Sequence, residues 1–404
     1  MRFAALALAA NLVIAIPAAA SDEAGKSLPL DLTLRIGVWT SNRALDDRDG
    51  SLSAALNAKT TTRAGAGFST QLDAYLATQS RGATRAIARV RDGYLRYEDG
   101  PLDVRAGWQS VVWGRADAIN PTDQLTPRDY TLQVTSDDEQ RFGVPALRMG
   151  WYFDEINQLS LHMQQFRASI APLDATLPIN RKRRGDAEWA VRYDRSGAAV
   201  DWSLSWFSGF SKPRYLALQT PAGAPDRVVR DYPRIETLGA DLATNVHGYG
   251  LRAEIARTWV VQGLAPEAGG KAPGIAAVVG IDRNLENETN INLQYFIQHL
   301  YHSSEPANPV LAGLAIANNQ IDPHRTGFTV RYAKQQFDSR FSWEVQAIGY
   351  FGRRDYALRT RCNYRVDQRL RMLAGFDLFG GKSGAYYDSL RRNNTAFLEL
   401  RWAY

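Results

Sequence analysis

The chain has 404 residues, with 48 basic and 42 acidic side chains, a formal net charge of +6 and one cysteine, Cys362. A single cysteine excludes an internal disulfide scaffold. The basic set is 41 arginines and 7 lysines. That bias favours the rigid donor fork that suits carboxylate, sulfate and phosphate groups. With no recognisable nucleic-acid module, and with an export signal, it does not point to nucleic acid.

Residues 1–20 read MRFAALALAANLVIAIPAAA. Arg2 precedes an apolar run from Phe3 to Ile16, and Ala18 and Ala20 supply the small side chains of a cleavage site, which predicts a secretory signal peptide. The run is shorter than the ~20 residues that a spanning helix needs. No later apolar run is long enough either. Residues 21–404 are therefore expected to be a soluble exported domain or a transmembrane barrel, whose signal is spread over alternating residues.

Along the chain the apolar residues recur with period two, not at helical spacing. Leu32, Leu34, Ile36 and Val38 alternate with Thr33, Arg35 and Gly37. The same alternation marks Leu147–Phe153, Leu159–Met163, Val200–Trp206, Ile275–Ile281, Ile291–Ile297, Phe341–Ala347, Tyr356–Tyr364 and Leu370–Leu378. A soluble sandwich also alternates. Long strands with aromatics near their ends, and connections that are alternately short and long, favour a barrel in lipid. The last residues, AFLELRWAY, put Ala396, Leu398, Leu400, Trp402 and Tyr404 on one face. They resemble the closing strand of outer-membrane proteins, whose aromatic end is read by the insertion machinery.

Seventeen segments are legible, at 30–40, 66–78, 83–97, 102–113, 144–153, 157–167, 187–194, 199–209, 234–244, 249–260, 274–285, 289–299, 325–334, 338–350, 355–366, 369–379 and 393–404. Bacterial barrels have even strand numbers. Counting back from a periplasmic C-terminus, loops 168–186, 210–233, 261–273, 300–324 and 380–392 fall outside. The turns near Asp154, Arg195, His247, Glu286 and Asp367 fall inside. The phase fails only before the Glu98–Pro101 turn, which places a hidden strand in 50–62. The expectation is an all-β, transmembrane, antiparallel up-and-down β-barrel of 18 strands, with 16 as the alternative, in the bacterial outer membrane. No plug domain fits in the remaining length, which argues against an energy-coupled receptor.

If apolar residues face lipid, then Arg35, Arg105, Arg148, Arg192, Arg252, Arg331, Arg340, Arg359, Arg361, Arg365, Arg369, Arg371 and Arg401 face the lumen, because an outward arginine at mid-depth costs ~2–4 kcal/mol. Rings of arginine favour anions. The competing reading pairs them with Asp201, Glu254, Glu344, Asp377 and Glu399 as braces of the wall. Few acids lie beside the dense cluster from Arg359 to Arg371.

Residues 113–143 form a long segment without an evident element, and such segments are commonly functional. Pro121 and Pro127 stiffen it, and Asn120 and Asp123 are suited to close a turn. Arg115, Arg128 and Arg141 interleave with Asp117, Asp123, Asp129, Asp137 and Asp138. A stiff charged segment of this kind is expected to fold into the lumen and set its aperture; the alternative is a surface loop over the mouth.

The run YLRYEDGPLDVRAGWQSVVWGRADAINPTDQLTPRDY, residues 94–130, resembles a group of poorly characterised proteobacterial outer-membrane barrels with a W-G-x-x-D-x-x-N-P-x-D loop. VVGIDRNL followed by INLQYFIQ is similar in style. The group is distantly similar to the alginate-export barrels, whose own loop signatures are not evident here. The resemblance implies a porin-like conduit for small organic anions or an acidic polysaccharide.

No enzyme is expected. His299 and His302 lack the further ligands of a metal set, and His162 beside Ser160 lacks the third group of a hydrolase. The sequence reading is a passive channel without cofactor or metal. Its expected partners are outer-membrane lipid and lipopolysaccharide (RKRR at 181–184 meeting phosphates), the barrel assembly machinery through Trp402 and Tyr404, and anionic solutes. The alternative is a barrel occluded by its own loop, acting as an adhesin or assembly partner.

Overall fold

The computed structural model describes residues 29–404 apart from 42–49, 82, 172–175, 182–185, 198, 222, 224 and 302–305. The expected signal peptide lies outside the described residues. The strands, in chain order, are β1 (Leu30–Ser41), β2 (Gly50–Gly65), β3 (Phe68–Arg81), β4 (Ala83–Asp99), β5 (Leu102–Gln109), β6 (Val144–Tyr152), β7 (Asn157–Gln165), β8 (Ala187–Arg195), β9 (Val200–Phe210), β10 (Tyr215–Gln219) and β11 (Arg227–Asp231). They continue with β12 (Arg234–Val246), β13 (Tyr249–Gln262), β14 (Gly274–Leu285), β15 (Thr289–Leu300), β16 (His324–Gln336), β17 (Phe341–Tyr350), β18 (Asp355–Arg365), β19 (Leu370–Gly380) and β20 (Thr395–Ala403).

Eighteen of them form one antiparallel sheet in which each strand pairs with its chain neighbours, and β10 and β11 form a separate hairpin inside the β9–β12 connection. The sheet closes on itself where β1 pairs with β20, from Thr33↔Ala403 to Ser41↔Thr395. Closure pairs the first strand with the last, so neither is left as a free edge in hydrocarbon. The hidden strand is β2, and it brings the count to the expected 18.

Alternation sets the two faces. Ile36, Val38, Leu204, Leu238, Val279 and Leu398 are exposed on the outer wall, while their chain neighbours Arg35, Ser205 and Glu399 are buried inside. Aromatic pairs stand at the turn-side ends of the strands: Phe68 and Tyr97 at 4.7 Å, Tyr193 and Trp202 at 5.4 Å, Tyr332 and Trp343 at 5.0 Å. This is the girdle of a bilayer interface.

Three details depart from the sequence reading. β5 ends at Gln109, so Ser110–Trp113 are not strand. The long outer connections carry the β10–β11 hairpin and two short helices, Pro309–Ala317 and Tyr386–Ser389. Asn308 caps the first of these, its side chain accepting from Leu311 N at 2.9 Å.

Candidate functional site

Residues 110–143 leave the wall at the top of β5 and return at the start of β6. Between these points they lie inside the barrel, in contact with inward side chains on many strands. The W-G-x-x-D-x-x-N-P-x-D run supplies the hinge and the braces. Trp113 packs with Leu125, Ala190, Phe207 and Ile235. Gly114 has φ +92°, and a Cβ there would lie 1.9 Å from Asn120 Oδ1, so glycine is required twice over. The Asn120–Asp123 turn closes with Asp123 N donating to Asn120 O at 3.3 Å, with Pro121 in its favoured turn position.

The charged residues of the segment then meet the wall. Arg115 Nε donates to Asp241 Oδ1 at 2.7 Å, and its guanidinium also approaches Asp201. Glu254 accepts from the backbone N–H groups of Arg115 and Ala116 and from the Thr122 hydroxyl. Asp117 pairs with Arg252 at 3.0 Å. Asp123 holds Arg141 at 2.6 Å, with Arg128 at 3.8 Å. Asp129, fully buried, accepts from Arg89 at 2.6 Å and from Thr131 N at 3.0 Å. Leu132 packs with Tyr75, Ala77 and Ile87. On the opposite side, Asp137 meets Arg359 at 2.5 Å, Thr135 O accepts from Arg361 at 2.6 Å, and Glu139 pairs with Arg35 at 3.2 Å and Arg401 at 3.0 Å. The segment therefore reaches β8, β9, β12 and β13 at one end, β3 and β4 midway, and β1, β18 and β20 at the other.

Two carboxylates of the segment are tuned by these contacts. Burial pushes the Glu139 carboxyl up, but Arg35 and Arg401 outweigh it and hold it below the usual glutamate value. The Asp137 carboxyl is likewise pushed up by its enclosure and pulled lower by Arg359.

Of the expected lumenal arginines, Arg35, Arg105, Arg192, Arg252, Arg331, Arg359, Arg361 and Arg401 lie on the inner face in ion pairs. Their partners include Asp103 for Arg105, Asp194 and Asp241 for Arg192, Asp282 for Arg252, Glu344 for Arg331 and Asp377 for Arg361. Arg359 and Arg361 do have acids beside them: Asp377 from the wall and Asp137 from the inward segment. That corrects the expectation of an acid-poor cluster. Arg148 stands opposite Arg105 and His162 in the ladder. Arg340 and Arg369 are not on the wall. They belong to the turns after β16 and β18, where the chain must reverse, and both are exposed at the rim that carries the short turns.

The ladder aligns a row that single strands do not reveal. Arg365 is opposite Arg371, Arg371 opposite Arg401, and Arg401 opposite Arg35. Four arginines thus form one continuous row of the ladder across four adjacent strands. Glu399 and Glu139 serve the Arg401–Arg35 half. At the other half, Arg340, Arg365 and Arg371 line a 440 Å³ recess with Asp367.

A 710 Å³ gap lies between the inward segment and the β17–β18 wall. It is bordered by Arg115, Arg128, Arg141, Lys212, Arg359 and Arg361 and by Asp117, Asp123, Asp137, Asp138 and Glu344. Arg361 and Glu344 also border a second space of 570 Å³ further toward the short turns, beside Arg331 and Lys334.

No group of side chains suited to a metal occurs among the described residues. His162 Nε2 lies 3.4 Å from Ser160 Oγ, and the ring packs edge-on to Trp113 at 5.5 Å. His302 and Lys182–Arg184 lie outside the described residues. Trp402 is exposed on the outer face beside the chain end, where Tyr404 N donates to Leu32 O at 2.9 Å.

No family model and no curated protein matches the chain. Its fold is similar to solved outer-membrane barrels. Pseudomonas aeruginosa OccK11 (OpdR) superposes with a TM-score of 0.56 at 11% identity over 93% of this chain and 95% of that one. Acinetobacter baumannii OccAB4 gives 0.55 at 8% identity over 93% and 97%, and A. baumannii OccAB1 gives 0.55 at 10% over 93% and 95%. The chain is a closed eighteen-stranded β-barrel of the bacterial outer membrane.

Proposed function

We propose that this protein is a passive, porin-like channel for small organic anions, narrowed by its inward segment. The carrying observation is the 710 Å³ gap between residues 115–141 and the Arg359–Arg361 wall, followed toward the periplasm by Arg331, Lys334 and the Arg365–Arg371 row. Its volume is that of a small-molecule site, which favours small anions over a polysaccharide chain.

Charge at the gap itself is close to balanced, so selectivity rests on the recess at one sector of the mouth, where Arg340, Arg365 and Arg371 meet one carboxylate, Asp367. The similarity to OccK11 and the two OccAB barrels supports the architecture; the anion preference rests on this chain's own residues. A second reading, a barrel sealed by its loop, is favoured by the ion pairs that fasten the segment at both ends.

Single-channel recording in planar bilayers separates the two. The channel reading expects steady openings and a reversal potential in a salt gradient on the anion side. Cation selectivity defeats the anion assignment, and a barrel with no steady open state defeats the channel.

A further inference from the structure

The barrel wall is incomplete in one sector. β5 and β6 have 8 and 9 residues, whereas the neighbouring β4 has 17. The β4–β5 ladder stops at Gly93↔Trp108. Above that level the wall is closed by non-strand chain. Gly143 N donates to Val90 O at 2.9 Å, Tyr130 N to Ile170 O at 2.8 Å, and Phe142 N to Pro127 O at 3.3 Å.

Outside this curtain is a cleft of about 1070 Å³. Leu56, Ala74, Leu76 and Ala88 contribute from the lipid-facing side of the sheet, and Phe166 and Ile170 from the curtain. The two alanines leave a trough between larger neighbours. Ser169 borders both the cleft and the lumenal gap, so the curtain there is one residue thick.

Arg167 lies at the cleft, its guanidinium 5.5 Å from the centre of the Trp108 ring; its Nε is buried without a hydrogen-bond partner among the described residues, which leaves the Nη groups to meet a ligand. Arg181, exposed, borders the same space. A guanidinium beside hydrocarbon is costly unless an anion meets it.

We propose that this cleft binds one anionic, phosphate-bearing lipid of the surrounding leaflet, an acyl chain lying over Ala74 and Ala88 and the phosphate meeting Arg167; phosphatidylglycerol is the probe for it. The occupant comes from the bilayer because the trough opens on the lipid-facing wall, and it is anionic because the polar groups at the cleft include Arg167 and Arg181. The chain fills from outside the space that two short strands leave empty. The assignment is independent of whether the lumen conducts.

The test is native mass spectrometry of the refolded full-length barrel in detergent, titrated with dimyristoyl phosphatidylglycerol, dimyristoyl phosphatidylcholine or myristate. Wild type is expected to retain one phosphatidylglycerol at a concentration about tenfold below that needed for phosphatidylcholine or myristate. Arg167→Gln should remove that preference, and Ala88→Trp should remove retention of both phospholipids. Heat-dependent electrophoretic mobility checks that each variant is folded, and Ala74→Trp fills the same trough if Ala88→Trp does not fold. Equal retention of the two phospholipids by wild type overturns the proposal. So does wild-type retention in a folded tryptophan variant, or myristate bound as tightly as phosphatidylglycerol.

Discussion

Arg35 and Arg401 stand directly opposite each other in the ladder that closes the barrel. Like charges so placed repel, and here two carboxylates separate them. Glu399 accepts from Arg35 Nη2 at 2.9 Å and from Arg401 Nε at 2.6 Å, and Glu139 reaches both guanidinium groups from the inward segment. Glu399 and Arg35 are almost fully buried, and removing one partner of a buried pair costs about 3–5 kcal/mol. Glu399→Gln is expected to lower barrel stability by that order in urea unfolding from lipid vesicles. A loss under ~1 kcal/mol would mean that the pair is solvated and contributes little to closure.

Gly114 and Asn120 make the second close relationship. A side chain at Gly114 would have to occupy left-handed backbone and displace the Asn120 amide. The backbone conformation alone costs roughly 1–2 kcal/mol for a non-glycine residue, and a bias of that size changes a two-state ratio by about 5–30-fold. Gly114→Ala should therefore loosen the inward segment without unfolding the barrel. The readout is larger and noisier unitary conductance at unchanged thermal stability. Unchanged conductance would show that the segment does not set the aperture.

Much of this architecture was legible because the bilayer imposes a period of two on every strand. β2 was located by parity, since Leu52, Ala54 and Leu56 alternate only weakly. The stiffness and charge of 113–143 are legible in the sequence, whereas its partners on the wall are not, and the strand pattern carries β5 four residues past its end at Gln109. Val111 and Trp113 continue the alternation, yet Trp113 serves an apolar cluster inside the barrel with Leu125 and Phe207. A rule that assigns apolar residues to lipid has no place for such a cluster. The ion pairs were illegible for a different reason. Asp137 and Arg359 are separated by more than half of the chain, and the four-arginine row depends on ladder register, which no single strand encodes.

Acid should release the far end of the segment, and the sign follows from the two depressed carboxyls. A group whose folded-state pKa is lowered stabilises the fold above its unfolded value and loses that contribution as pH falls through the folded value. For Glu139 and Asp137 the ordinary values are 4.5 and 3.8. Conductance is therefore expected to stay constant from neutral pH down to those values and to change only below them. In Glu139→Gln with Asp137→Asn that acid transition should vanish, the segment being already loose at neutral pH. Recordings stepped from pH 7 to pH 3 check this; a transition centred above pH 5, or one that persists in the double variant, would assign the switch to other groups.

In the recess beside the turn that joins β18 to β19, three arginines, Arg340, Arg365 and Arg371, meet one carboxylate, Asp367. Arg365 and Arg371 face each other across β18 and β19. The nearby Asp367 already accepts from Arg369 N at 2.7 Å and Leu370 N at 2.8 Å, bonds that hold its carboxyl below the usual aspartate value. A carboxylate occupied in closing its turn is poorly placed to meet both guanidinium groups, so their field reaches the water of the lumen. Arg365→Glu combined with Arg371→Glu should move the reversal potential toward cation preference. The shift should be large at ~0.1 M salt, where the screening length is about 10 Å, and much smaller at ~1 M, where it is about 3 Å. Arg359→Gln, which removes a cation already matched by Asp137 and Asp377, should shift selectivity in the same direction but less. If the double reversal at the mouth leaves the reversal potential where it was at low salt, the arginine row is a brace of the wall and not the source of selectivity.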